Sequence, residues 1–235
     1  VMFKESRYAD RLPIGKKEVL ENFTYDELRQ FYKDWYRPDL MSVIAVGDID
    51  PDEMEKKIKE RFGKIKNPKN PKERKFYEVP NHDQTFISIV SDKEASFTQI
   101  QLIYKQENED TETLNDYRRD VVYRLYTGML NQRLEELKQA AEPPFFFANA
   151  NYGSMVRTKS NYSSFAVVGQ DGIKAGLKAI VVENERAKRV GFTEGEFERY
   201  KSVMLNRMEK SYKESDKTES SRYASEYIRN FLSKE

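Results

Sequence analysis

The stretch from Pro38 to Gly63 constrains the fold of this chain more than any other. Pro38 disfavours helix at the preceding residue, and residues 41–46 then form a short apolar run between turn residues, which predicts a buried strand. Asp50 is placed to cap an amphipathic helix that has a proline at its first position and ends at Gly63. The pattern predicts a strand, a tight turn and a helix in succession.

A glycine at a strand-to-helix turn is also typical of a phosphate-binding loop. The Rossmann fingerprint needs three glycines and the P-loop needs a Gly-Lys-Ser/Thr ending, whereas Gly47 stands alone here and is followed by Asp48, Asp50 and Asp52. Carboxylates at a helix N-terminus repel a phosphate and satisfy the helix dipole themselves. The turn is therefore interpreted as a capped helix start rather than a ligand site.

The charge balance argues against several classes of partner. The 235 residues include 41 Lys or Arg and 40 Asp or Glu, so the net charge of +1 gives no overall attraction to nucleic acid or to an anionic membrane. The sequence has no apolar run of about 18 residues that could span a membrane. The Lys- and Arg-rich residues 56–75 are interpreted as a solvated helix face that runs into a linker, with nucleic-acid binding as the alternative.

The sequence lacks the groups that hydrolytic catalysis needs. Zinc hydrolysis requires two or three metal ligands at helical spacing and a carboxylate that takes a proton from bound water, but His82 is the only histidine. The chain has no Cys and no Gly-x-Ser-x-Gly elbow, so nucleophilic catalysis has no support either. We therefore predict no catalytic, cofactor-binding or metal-binding residue in this chain.

Hydrophobic periodicity predicts a mixture of strands and helices along the chain. Capping boxes are predicted at Thr24 and Thr193, and Gly128 is expected to bend or break a long helix. The aromatic faces of the helices, including Trp35, are interpreted as core. Further strands are predicted at residues 86–90, 98–104, 145–152 and 162–168, and further helices at residues 28–35, 114–137, 173–181, 193–208 and 223–231.

Several segments resemble the bacterial zinc metallopeptidases of the pitrilysin/insulinase type. Residues 6–15, 31–39 and 46–48 follow one another as they do at the end of that family's first, catalytic-type domain. Residues 131–137 match the Arg-Leu helix of the family's second, non-catalytic domain. Residues 116–120 open the helix that corresponds to the zinc helix, and they contain no His-x-x-Glu-His motif.

The resemblance implies an α+β fold, a processing-peptidase-like two-layer sandwich in which a mixed or antiparallel sheet has helices packed on one face. Residues 1–65 would be the C-terminal part of a catalytic-type domain without its zinc motif. Residues 66–80 would be a linker, and residues 81–235 an inactive peptidase domain. In this family two His and a more distant Glu bind zinc, and all of these ligands precede the segment at residues 6–15.

The implied function is the non-catalytic portion of a zinc-dependent metalloendopeptidase. It would form part of a chamber that encloses peptide substrates, and a face that packs on the zinc-bearing domain of the same polypeptide. We expect no cofactor in this fragment, zinc in the upstream domain, no nucleic acid and no membrane span. The start without Met or a targeting segment suggests a piece of a longer polypeptide.

Two questions stay open at this point. Family members can hold substrate with an Arg and, seven residues later, a Tyr, but Lys138 and Phe145 stand at those positions here, so the pair is not carried over. The alternative function is a peptide-binding or assembly scaffold in a family member that has lost catalysis altogether. An intact zinc motif upstream would separate the two functions.

Overall fold

The computed structural model describes residues 1–11 and 13–234, and the chain divides into two compact units. The first comprises residues 79–214, and the second combines residues 2–78 with the C-terminal segment from Ser215. Leu12 of the family-like segment and Glu235, the end of the expected inactive domain, lie outside the described residues. The expected domain boundaries at 65 and 80 stay a prediction.

Seven α-helices and three β-strands form in the described residues. Sheet and core belong to the unit of residues 79–214, while four of the helices lie in the other unit. The elements are α1 (Lys17–Asn22), α2 (Tyr25–Trp35), α3 (Pro51–Phe62), β1 (Thr98–Glu107), α4 (Leu114–Lys138), β2 (Phe147–Val156), β3 (Lys159–Val168), α5 (Ile173–Val190), α6 (Glu194–Lys213) and α7 (Ser220–Ser233).

The three strands form one antiparallel sheet in the order β1-β3-β2. Ala166 on the central strand pairs with Ile100 on one side and with Ala148 on the other. Helices α4 and α5 pack on the face that carries these residues, and no helix among the described residues of this unit packs extensively on the opposite face. The expected α+β architecture, with helices on one face of an antiparallel sheet, is confirmed.

The core of the first unit lies between this sheet and helices α4 and α5. Leu130, Leu134, Ile180, Ala166 and Val168 all have 0% of their surface exposed. Burying a large aliphatic side chain stabilises a fold by about 1.5–3 kcal/mol, so this cluster contributes much of the stability of the unit. The apolar spacing of the sequence had indicated the two helices that supply it.

Helix α4 runs through Gly128 without breaking into two helices, so that alternative of the prediction is wrong. The glycine instead makes room for α6: a Cβ added at Gly128 would lie 1.9 Å from Cζ of Tyr200. Such a separation is impossible for real atoms, so the Tyr200 ring occupies the space that any larger residue would need. Gly128 therefore sets how closely α4 and α6 approach.

An ion cluster joins α4, α5 and α6 beside the core. Nε and Nη2 of buried Arg133 donate hydrogen bonds to the two carboxylate oxygens of Glu196, at 2.5 and 2.9 Å. Nη2 of Arg133 also donates to the carbonyl oxygen of Gly191, and Glu183 lies 3.9 Å from the guanidinium. The hydrogen bonds that the Glu196 carboxylate accepts, those from Arg133 foremost, lower its pKa to about 2. Glu196 also completes the predicted capping box with Thr193.

The second unit confirms the predicted helix starts. Thr24 and Glu27 form a capping box at the start of α2, and the Asp50 side chain accepts a hydrogen bond from the backbone N–H of Glu53 at the start of α3. Helix α3 ends at Gly63 as predicted. These devices form because the donor and the acceptor lie within three residues of each other in the sequence.

The apolar face of α2 is exposed, so the prediction that this face forms core is wrong for the described residues. Leu28, Phe31 and Tyr32 on α2 are 55–60% exposed, and Trp35 is only half-buried. Helix α7 also has exposed apolar residues, which include Tyr227. An amphipathic pattern shows that a face is suited to burial, and it does not supply the surface that covers it.

The Pro-rich segment of residues 66–78 is held against α2 and the turn after it. Nη2 of Arg37 donates to the carbonyl oxygen of Lys72 at 2.7 Å, and the ammonium of Lys72 pairs with Asp34 at 3.0 Å. The hydrogen bond from Lys72 lowers the pKa of the Asp34 carboxyl. The guanidinium of Arg7 donates to the Tyr77 hydroxyl. The segment therefore forms no helix or strand, but it is attached to the rest of its unit.

Two predicted strands do not form among the described residues. Residues 41–46 have no partner strand, and neither do residues 86–90, where Ile87, Ile89 and Val90 are 80–91% exposed. A strand needs a neighbouring strand to take up its hydrogen bonds, and the sheet of the described residues consists of β1, β2 and β3 alone. Residues with a high β-propensity are therefore not sufficient to form a strand in these two segments.

Candidate functional site: the open face of the sheet

Alternation along the strands divides the sheet into a covered face and an open face. We use "open face" for the side chains that point away from α4 and α5. Cross-strand pairing aligns them in rows across β1, β3 and β2. The rows are Gln99, Val167 and Phe147; then Gln101, Phe165 and Asn149; then Ile103, Ser163 and Asn151; and then Lys105, Asn161 and Gly153.

Amide side chains line both margins of the open face. Gln99 and Gln101 lie on β1, and Asn149 and Asn151 lie on β2. None of these four side-chain amides has a hydrogen-bond partner among the described residues. They therefore present free donors and acceptors on either side of the central strand.

An aromatic pair lies at one end of the open face. The rings of Phe147 on β2 and Phe165 on β3 are 5.6 Å apart between centroids and tilted at 53°. Phe147 is 44% exposed, and Phe165 is half-buried. The pair is an apolar surface to which a ligand side chain could add its own contact.

Charges at the other end of the open face are paired or bonded. The buried ammonium of Lys159 pairs with Glu107, and the Asn81 side chain also donates to Glu107. These hydrogen bonds, that of Lys159 foremost, lower the pKa of the Glu107 carboxyl. The ammonium of Lys105 donates to the carbonyl oxygen of Pro80 at 2.8 Å. The charged side chains at this end of the open face are therefore held by contacts within the chain.

None of the positions considered in the sequence belongs to the side-chain rows of the open face. Nδ1 of His82 lies 2.6 Å from the carbonyl oxygen of Gln84, and the imidazole stacks on Phe86. Lys138 pairs with Glu135, while Phe145 is buried in the core. Within residues 1–11 and 13–234, no three His, Cys, Asp or Glu side chains are grouped so that they could hold a metal ion. The described residues do not fit a zinc ion.

The family of the chain follows from its match to a known domain. The model of the Peptidase M16 inactive domain matches residues 22–204, which is most of the sequence. The chain belongs to the M16 peptidase family. The match extends over both compact units, and it confirms the resemblance to pitrilysin/insulinase-type peptidases. This M16 chain corresponds to an inactive domain of zinc-protease-like proteins.

Two sequence relatives and one solved structure extend this assignment. The chain is 30% identical over its whole length to "Zinc protease PQQL-like" of Arabidopsis thaliana, and 27% identical over 87% of its length to "Probable zinc protease PqqL" of Escherichia coli K12. It spans 22% of the length of each relative. The crystal structure of the first half of the periplasmic protease PqqL from Escherichia coli superposes with a TM-score of 0.87 at 23% identity. The superposition covers 99% of this chain and 50% of the PqqL chain, which shows that the two share a fold.

The sequence carried only part of the signal for the open face. The alternation of Gln99 and Gln101 with Ile100 and Leu102 was visible and correctly predicted β1. On β2, Asn149 and Asn151 alternate with two alanines, and small residues give a weak hydrophobic period.

No helix in the described part of the chain is long and apolar enough to cross a bilayer.

Proposed function

We propose that this M16 chain is the non-catalytic portion of a zinc-dependent metalloendopeptidase, where it forms part of the wall of a peptide-enclosing chamber. The observation that supports this role is the sheet with helices on one face only. The covered face holds the core of the unit, so the open face is free to contact a peptide. Zinc and its ligands would belong to another domain of the whole protein.

The exposed apolar faces of α2 and α7 support a second part of the proposal. Each helix turns several large apolar side chains towards solvent, as described for Phe31 and Tyr227. A contiguous exposed apolar surface is typical of a protein interface. We propose that these faces pack on the zinc-bearing domain of the same polypeptide.

Photo-crosslinking in the full-length gene product tests the chamber wall. A photoreactive amino acid at Gln101 on the open face should capture a bound peptide substrate. The same group at Lys188, exposed on the outer surface of α5, serves as the matched control and should capture far less. Equal capture at both positions would contradict the assignment of the open face to the chamber.

Metal analysis separates the proposed enzyme from a scaffold that has lost catalysis. The 235-residue chain alone should hold no stoichiometric zinc and cleave no peptide, whereas the full-length protein should do both. One tightly bound zinc per 235-residue chain would refute the proposal. A full-length protein that binds peptides without zinc or cleavage would instead support the scaffold.

A further inference from the structure

The amide rows on the open face have the repeat of an extended peptide. Gln99 and Gln101 are two residues apart on β1, as are Asn149 and Asn151 on β2. Residues two apart on a strand are separated by about 6.6 Å, which is also the distance over which an extended peptide repeats its orientation. Successive amides can therefore meet equivalent groups of one extended chain.

The two amide rows also lie at a suitable separation. They stand on β1 and β2, with β3 between them. Neighbouring strands are about 4.8 Å apart, so the rows are separated by about 10 Å, wide enough for one extended chain above β3. The floor under such a chain is formed by Val167, Phe165 and Ser163.

The chemistry of the rows favours neutral hydrogen-bonding groups. A carboxamide offers both a donor and an acceptor, which match the C=O and N–H of a peptide group or of an Asn, Gln, Ser or Thr side chain. The rows themselves carry no charge, and at the end of this face Lys159 pairs with Glu107 while the ammonium of Lys105 donates to the carbonyl oxygen of Pro80. A charged ligand side chain above the rows would lose hydration without gaining a free opposite charge.

We infer that the amide rows and the Phe147–Phe165 pair form a binding slot for extended, uncharged polar peptide segments. An aromatic or aliphatic residue of the peptide packs on the Phe147 ring, and the flanking residues bond to the amides of Gln101 and Asn149. This inference rests on the proposed function and deepens it, because it names the class of substrate segment that the open face selects.

Fluorescence anisotropy with labelled ten-residue peptides tests the slot in the whole 235-residue chain. One peptide contains Asn, Gln and Ser around a single Phe. Two matched peptides carry Glu or Lys at alternate positions instead. The neutral peptide should bind about tenfold more tightly than either charged peptide. Tighter binding of a charged peptide would overturn the inference, and so would the absence of binding by the neutral one.

A pair of variants locates the binding. The double substitution Gln101→Ala with Asn149→Ala removes two neutral hydrogen-bonding groups and should weaken binding of the neutral peptide about tenfold. The matched control is Asn206→Ala, which removes an exposed amide from α6 in the same unit and should leave the affinity unchanged. Circular dichroism checks that both variants keep the helix content of the parent chain.

Two results distinguish the slot from the wider chamber role. If the double variant binds the neutral peptide as tightly as the parent chain, the slot is wrong. Should crosslinking at Gln101 in the full-length protein still capture peptides in that case, the chamber wall stands without the slot. Phe147→Ser should reduce the preference for the peptide with Phe over a peptide with Ser in its place, and an unchanged preference would remove the aromatic part of the inference.

Discussion

Helices α4 and α2 have similar sequence patterns, but their apolar side chains differ in burial. Both begin with a capping box and carry large apolar side chains at helical spacing. Leu130 and Leu134 of α4 are fully buried against the sheet, whereas Leu28 and Phe31 of α2 stay largely exposed. The difference lies in what faces each helix, because α4 packs on β2 and no sheet forms in the unit of residues 2–78 within the described chain. The sequence of one segment sets its amphipathic pattern, whereas burial also requires a second segment that packs on the apolar face.

The largest expected effect comes from deleting a buried side chain in α4. Leu130→Ala should lower the free energy of unfolding by about 2–5 kcal/mol, because it removes apolar contacts and leaves a cavity. The matched substitution Leu28→Ala on α2 should cost much less, since that side chain is already in solvent. Urea unfolding followed by circular dichroism measures both. Equal decreases in the free energy of unfolding would contradict the difference in burial between α4 and α2.

The ion cluster around Arg133 predicts a pH-dependent contribution to the stability of the first unit. The carboxylate of Glu196 has a pKa of about 2 in the folded chain and 4.5 as its ordinary value, so its contribution is present above about pH 4.5 and lost as the pH falls towards 2. A shift of this size corresponds to on the order of 3 kcal/mol. Glu196→Gln keeps a capping side chain and loses the charge that Arg133 binds.

Unfolding free energies of the parent and the Glu196→Gln variant between pH 7 and pH 2 measure that contribution. The parent should be more stable at pH 7, and the gap should close as the pH falls below 4.5. A gap that stays constant across this range would mean that the Arg133–Glu196 pair adds no pH-dependent stability. Leu28→Ala on α2 serves as the control, because it removes no titrating group, and its cost should vary little with pH.

A smaller effect is expected where α4 meets α6. Gly128→Ala should destabilise the chain by about 1–3 kcal/mol, because the new methyl group collides with the Tyr200 ring. The gain in helix propensity, about 1 kcal/mol, offsets part of this cost. Gly195→Ala is the matched control, since its Cβ would meet only the mobile end of Arg199.

A double-mutant cycle assigns the cost of Gly128→Ala to its cause. Tyr200→Ser removes the ring, so Gly128→Ala should be neutral or stabilising in that background. A cost that is the same with and without the ring would show that the collision is relieved elsewhere. Thermal unfolding of the four chains gives the coupling.

The smallest expected effect on stability is at the exposed face of α2. Phe31→Ser should change the free energy of unfolding of this chain by less than about 0.5 kcal/mol, because the side chain is mostly in solvent. In the full-length protein the same substitution should lower stability markedly if α2 packs on the zinc-bearing domain. Equal small effects in both contexts would argue that this face has another role.

The features that sequence reasoning predicted are local ones. The caps at Thr24, Asp50 and Thr193 formed as predicted because donor and acceptor are three residues apart. Two predicted strands failed because a strand depends on a neighbour that its own residues do not specify. The bond between Arg133 and Glu196 joins residues 63 positions apart, and no spacing rule connects them. The amide rows likewise depend on the register of three strands.

The attachment of the Pro-rich segment has a consequence for the order in which the structure opens. Its bonds close long loops of chain: Arg7 to Tyr77 spans 70 residues, and Arg37 to Lys72 spans 35. The Arg7–Tyr77 bond is exposed and exchanges readily with water, and although the Arg37 guanidinium is buried, residues 66–78 themselves belong to no helix or strand. Amides along residues 66–78 should therefore exchange with deuterium through a small local release, long before those around Leu130. Residues 66–78 should therefore open locally while the neighbouring helices keep their structure.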